Sequence, residues 1–183
     1  MGCKICRTKP VIKLTSTKIS LCDKCFLRYF ESKYLRTIRT YNMIKNTKKL
    51  YIFNDKYSEI NYFILKRLSD ERKGKFKVLK TNNKKLNIIN SNNLDKISSL
   101  ILLSEFKNKF KKDLTPIYKN KLSPLYFLNN KEIDLYAKLN KLKTKKEKID
   151  KNEEKILKFL DEVESKYEGT RNNIVKSYLE LIQ

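Results

Sequence analysis

The sequence predicts an α/β protein: a small four-cysteine finger, then a three-layer domain around a small parallel or mixed sheet, then a helical C-terminal region. Three observations carry that expectation. All four cysteines fall within the first 25 residues, as Cys3-x2-Cys6 and Cys22-x2-Cys25. The stretch YIFNDKYSEINY, residues 51–62, passes from an apolar strand-like run through a polar turn into apolar residues at helical spacing. Beyond residue 93 apolar residues recur three and four apart, the period of amphipathic helices. The divisions expected are residues 1–30, 31–127 and 128–183.

Each C-x2-C knuckle turns two thiolates toward one point, and two knuckles supply four soft ligands in the zinc-ribbon spacing. Cys3, Cys6, Cys22 and Cys25 are therefore the expected ligands of a structural Zn2+ that stabilises a module too small to fold alone. Two disulfides are the first alternative, disfavoured in an intracellular chain. An iron–sulfur cluster is the second, and it is not expected here. Chelation is expected to unfold residues 1–30 selectively.

After the finger, Phe26, Leu27, Phe30, Tyr34, Leu35, Ile38 and Tyr41 fit one helical face. Tyr51 to Phe53 reads as a buried strand and Asn54 to Ser58 as a turn. Ile60, Phe63, Ile64 and Leu68 then mark a helix over about 58–69. Gly74 breaks the pattern, and β-like runs follow at 76–79 and 86–89. The turn-prone TNNKK between them suits a hairpin, or a parallel pair that has lost its crossover helix. A sheet of three or four strands is expected. Asn93 can cap a helix whose apolar positions run from Ile97 to Phe110. Pro116 and Pro124 punctuate the next segment, and Glu132 to Leu142 reads as a short helix. The run KLKTKKEKIDKNEEK is a solvated helix face or a mobile linker. Ile156, Leu160, Val163 and Tyr167 form a stripe ending near Gly169, and Ile174, Tyr178 and Ile182 mark a last helix. No internal repeat is found.

A net charge of +23 attracts polyanions, although the abundance of Lys, Asn and Ile also matches an A+T-rich genome. Apolar content of 40% and aromatic content of 11% indicate a folded chain despite 34% charged residues. No apolar run approaches the ~18 residues of a membrane span, and the start MGCKICRT has no apolar signal stretch; a cytoplasmic protein is expected. Met-Gly suggests myristoylation only weakly, because Cys occupies position 6 where Ser or Thr is required.

Together these segments resemble the TtuA and cytoplasmic tRNA 2-thiolation protein family, within the PP-loop (adenine nucleotide alpha hydrolase-like) superfamily. CKICRTKPVIKL and LCDKCFLRYFESKYLRTIRT resemble its N-terminal finger and following helix. The family's loop SGGKDS falls on Phe53 to Ser58, where Lys56 and Ser58 match but both glycines and the aspartate do not. Its GHNxDD resembles SNNLDK, through Asn93 and Asp95, with Asn92 replacing His and Lys96 replacing the second Asp. LSPLYFLNNKEIDLYAKLNKL is similar to a later segment through Pro124, Leu125, Glu132, Tyr136 and Ala137. ILKFLDEVESKYEGTRNNIVKSYLELI resembles the last one through Leu160, Glu164, Lys166, Gly169, Thr170, Asn173, Ile174 and Ser177.

The resemblance implies enzymes that adenylate uridine C2 with ATP and insert sulfur, using a glycine-rich loop and, in catalytic members, further cysteines for an iron–sulfur cluster. This chain has no cysteine after Cys25, and the side chains of Asn54 and Asp55 fill space a phosphate needs. Lys56, Ser58, Asn93 and Asp95 then read as a degenerate ATP loop that does not hold ATP. The expectation is a pseudoenzyme, a non-catalytic subunit that binds tRNA and forms a heterodimer with a catalytic homologue. Through that homologue it would meet a ubiquitin-like sulfur carrier. Lys33, Arg36, Arg39, Lys107, Lys109, Lys111 and Lys112 are candidates for phosphate contacts; each also reads as an ordinary solvated cation. One alternative is a reduced but active ATP-dependent thiolation enzyme with an altered loop. Another is a zinc-ribbon nucleic-acid-binding protein unrelated to thiolation.

Overall fold

The computed structural model describes residues 2–14, 17–45, 47–83 and 88–182. It begins with an antiparallel ribbon, β1 (Ile12–Lys13) and β2 (Ser20–Leu21). Helix α1 (Asp23–Thr40) starts earlier than the apolar stripe suggests, with Cys22 as its N-cap residue, so the second knuckle is built into its first turn. Phe26, Phe30, Tyr34 and Ile38 form its buried face.

The central sheet comprises β3 (Lys49–Phe53), β4 (Lys77–Thr81), β5 (Ile88–Ile89), β6 (Ile117–Tyr118) and β7 (Lys121–Leu122), in the order β4-β3-β5-β7-β6. All neighbours are parallel except the β6–β7 hairpin. Helix α2 (Ser58–Glu71) connects β3 to β4. The runs at 76–79 and 86–89 therefore form neither a hairpin nor an adjacent pair. Both pair with β3, one on each side, because β3 is the most apolar strand, with Leu50 and Ile52 buried and Tyr51 and Phe53 half-buried on the other face. Leu86, the start of the second run, lies outside the described residues. Among the described residues the central sheet has five strands rather than three or four. Lys119, at φ +51°, closes a hairpin whose two-residue arms are too short to show alternation.

Helix α3 (Leu94–Phe106) is capped by Asn93, whose side chain accepts the Lys96 N–H. It stops at Phe106 rather than Phe110 because Asn108 turns left-handed (φ +49°) and the Lys109 N–H returns to the Ser104 carbonyl. Helix α4 (Asn130–Leu139) carries a full capping box between Asn129 and Glu132. Helices α5 (Lys151–Lys166) and α6 (Thr170–Leu181) are joined at Gly169, whose φ of +86° favours glycine.

One buried cluster runs from Cys3, Cys22 and Cys25 through Phe26, Phe30, Leu50 and Ile52 to Tyr136, so finger and sheet share a core. Within it the rings of Phe30 and Tyr136 stack at 4.1 Å and join α1 to α4. A second cluster, including Ile97, Ile101, Tyr126, Val175 and Tyr178, packs α3 against α6. The architecture is the expected one: a four-cysteine cluster able to chelate a metal, a mixed α/β core with a small sheet, and C-terminal helices. Among the described residues no helix is long and apolar enough to cross a membrane. The chain leaves β3 toward one edge and returns to β3's other side at β5. That reversal is a topological switch point, where open α/β sheets place ligands outside the carboxyl ends of their strands.

Candidate metal centre and switch-point crevice

The four Sγ atoms of Cys3, Cys6, Cys22 and Cys25 all lie within 4.8 Å of one another, with Cys6 3.3 Å from Cys22 and 3.6 Å from Cys25. The first knuckle is closed by the Arg7 N–H on the Cys3 carbonyl (2.8 Å) and the Cys3 N–H on the Thr8 carbonyl (2.7 Å), with Arg7 at φ +62°. Gly2 is required beside it, since a Cβ there would sit 2.5 Å from the Arg7 carbonyl oxygen. Four thiols this close cannot all ionise unaided. Burial works against the charge on Cys3, but backbone N–H donors led by that of Cys6 outweigh it and bring the thiol down to about 6. The Thr8 hydroxyl lowers Cys22, whereas burial and the neighbouring thiols push Cys25 up to about 12. A bound cation removes that conflict. The set fits a thiophilic metal: the spacing can be spanned by one ion with metal–sulfur bonds of about 2.3 Å, and four thiolates are also the donor set of iron–sulfur clusters.

At the switch point β3 ends in the turn Asn54 to Tyr57. Three of the turn's four N–H groups are spent inside the protein: Asn54 donates to Thr81 O (3.1 Å), Asp55 to Phe53 O (2.9 Å) and Tyr57 to Ser91 Oγ (3.0 Å). The Asp55 carboxylate accepts from the Ser91 N–H (2.8 Å) and the Ser91 hydroxyl. Asp55 thus clasps the loop after β5. Burial raises its pKa, while the two Ser91 donors and Lys96 oppose that shift. A cavity of about 260 Å³ opens here, with Lys56, Lys96 and Lys121 among its lining together with Asn90, Ser91 and Asn92. Three lysines and two amide side chains line it alongside the carboxylates of Asp55 and Glu147, a set that can take a phosphate only where a lysine is released from its carboxylate. Lys96 is paired with Glu147, and the Lys56 ammonium lies 4.6 Å above the Tyr57 ring.

The four motif matches do not converge. Lys56 lines the crevice. Ser58 is buried in the first turn of α2, and its hydroxyl has no partner among the described residues. Asn93 is used as a cap and donates to Asn130 Oδ1 at 2.8 Å. Asp95 accepts the Asn130 N–H at 2.6 Å and lies 3.0 Å from Arg171 Nε. Arg171, itself buried, also reaches Asp161 at 2.8 Å and Glu164 at 3.6 Å. Asp95 is therefore part of a clamp between α3, α4 and the α5–α6 hairpin. Burial raises its pKa, and the Asn130 N–H and Arg171 oppose that. Sequence reasoning missed Ser91 and Arg171, although each lies inside a quoted segment.

Of the basic candidates, Lys33 is engaged with Glu132 at 3.3 Å and with the Tyr29 hydroxyl. Arg36, Arg39, Lys107, Lys109, Lys111 and Lys112 are exposed. Arg36 and Lys176 line a groove of about 530 Å³ between α1 and α6.

No family model matches the chain. Over 70 residues it is 33% identical to the tRNA-5-methyluridine(54) 2-sulfurtransferase of Pyrococcus horikoshii, a match covering 37% of this chain and 23% of that relative's length. Its fold is similar to that of the U34-tRNA thiolase NcsA from Methanococcus maripaludis, solved with its [4Fe-4S] cluster. The TM-score is 0.78 at 16% identity, over 100% of this chain and 87% of the other. These matches correct the expectation of a non-catalytic pseudoenzyme subunit, since both proteins are named as enzymes. The cofactor expectation, structural zinc with an iron–sulfur cluster set aside, is corrected with it. The same four thiolates can hold iron, and a protein of this fold carries a [4Fe-4S] cluster.

Proposed function

We propose that this chain catalyses ATP-dependent 2-thiolation of uridine in tRNA, in the cytoplasm. The observation that carries the reading is that FNDKYS and SNNLDK, the two segments matched to the family's ATP motifs, meet across one crevice. Asp55 and Ser91 are 36 residues apart in sequence and bonded there. The similarity to a tRNA sulfurtransferase supports it.

In this reading the C2 oxygen of uridine attacks the α-phosphorus of ATP and pyrophosphate leaves. A sulfide, free or delivered by a ubiquitin-like carrier, then attacks C2 and AMP leaves with the oxygen. Lys56, Lys96 and Lys121 neutralise the phosphates as point charges in place of a glycine-rich cradle. Arg36 and Lys176 meet tRNA phosphates along the α1–α6 groove, with exposed Arg39 farther along α1 and the lysines from 107 to 112 as a second basic patch. Cys3, Cys6, Cys22 and Cys25 would hold the metal. When bound it would rigidify the finger; as an iron–sulfur cluster it would add redox-active iron, on which the two substitution steps above do not draw. The division into residues 1–30, 31–127 and 128–183 belongs to the same proposal.

The test is to incubate the metal-reconstituted chain with tRNA, ATP–Mg2+ and sulfide and digest the tRNA for mass spectrometry. ATP-dependent 2-thiouridine or its 5-methyl counterpart is the expected product. Its absence under both zinc and iron–sulfur reconstitution contradicts the reading.

A further inference from the structure

Between α4 and α5, over residues 142–150, the charged run is not helical. It crosses the mouth of the crevice, held there by three contacts. The Lys145 N–H donates to the Lys56 carbonyl at 3.0 Å. The Lys145 ammonium donates to Asn54 Oδ1, and Glu147 pairs with Lys96. Two of these anchors lie on the turn after β3, and the third is a lysine of the crevice itself.

The segment also stands between two cavities. The crevice of about 260 Å³ and a neighbour of about 560 Å³ share Lys56 and Glu147 in their walls. The smaller is below the ~300 Å³ at which small-molecule pockets usually begin; joined, the two exceed it comfortably. Nothing of the segment enters the core. Residues 143–150 are all exposed, between half-buried Leu142 and the start of α5 at Lys151. Exposed ion pairs and hydrogen bonds of this kind are weak and screened by salt. The Glu147 carboxylate already occupies the ammonium group an incoming phosphate would take, as Asp55 occupies the Ser91 N–H.

We propose that residues 143–149 are a strap that closes the crevice through the Glu147–Lys96 pair and is displaced when a polyphosphate takes Lys96, joining the two cavities. This rests on the reading of the crevice as a triphosphate site.

The test uses the full metal-bound chain, with tripolyphosphate and ATP–Mg2+ as probes. Glu147→Gln is expected to raise the affinity for both about two- to fivefold, the worth of one surface ion pair. Without any anion, the same variant is expected to speed tryptic cleavage after lysines 143–148. In the wild type, saturating tripolyphosphate is expected to speed that cleavage too. Anion binding with cleavage and affinity unmoved overturns the strap and leaves the triphosphate reading standing. No anion binding by either protein, with cleavage still faster in Glu147→Gln, overturns the triphosphate reading and the trigger while closure survives.

Discussion

Asp55 places a half-buried carboxylate between the turn after β3 and Ser91. Because burial raises its pKa, the folded state holds its proton more tightly than the unfolded chain, whose carboxyl keeps its ordinary value of 3.8. The linked stability is fully present below that value and is lost as pH rises through the folded-state pKa. Asp55→Asn removes the titration and keeps an acceptor for Ser91. Relative to wild type, the variant is therefore expected to gain stability between about pH 4 and pH 7, read by urea denaturation at both; a constant or reversed difference contradicts this account of Asp55. Gly2 gives a second test at this scale. Gly2→Ala drives a Cβ into the Arg7 carbonyl, which is backbone and cannot swing aside. Metal affinity is expected to fall about tenfold or more, by analogy with the loss of an outer-shell contact, in a chelator competition.

The elements were legible in proportion to their length. α1, α2, α5 and α6 were readable because their apolar stripes run for several turns, and α3 because Asn93 is both a good cap and in the right place. β6 and β7 were not, since two-residue arms carry no period. The partners of Asn93 and Asp95 were also hidden. Motif matching placed these residues at an ATP site, whereas tertiary contacts turned them toward Asn130 and Arg171. Neither a buried arginine nor a carboxylate 51 residues from its lysine leaves a local signal in sequence. The Arg171 clamp makes a prediction for these elements. Arg171→Met leaves Asp95 buried without its cation, expected to cost about 3–5 kcal/mol. Asp161, being largely exposed, is resolvated. A loss below about 1 kcal/mol in denaturant unfolding would show that the clamp does not hold α3 to the α5–α6 hairpin. At α4, Asn129→Ala removes the acceptor half of the capping box, an expected loss of about 1 kcal/mol.

Across the whole molecule the finger is not an appendage. Cys3, Cys22 and Cys25 lie in the same buried cluster as the sheet strand β3 and Tyr136 of α4. Metal removal is therefore expected to loosen α1 and its contact with α4, beyond the selective unfolding of residues 1–30 that cysteine spacing suggests. Hydrogen exchange around Phe30 and Tyr136, with and without chelator, checks this. The field of +23 should make RNA binding strongly salt-dependent, and Arg36→Glu should flatten the log–log salt slope by about one unit or more if the groove carries a phosphate. The central claim, that the crevice activates tRNA uridine with ATP, is tested most directly by counting AMP released against 2-thiouridine formed. The account predicts one AMP per thiolated uridine, with both products lost together when Lys56 and Lys96 are replaced by alanine. Thiolation that proceeds without AMP release, or is unaffected by those replacements, would contradict it.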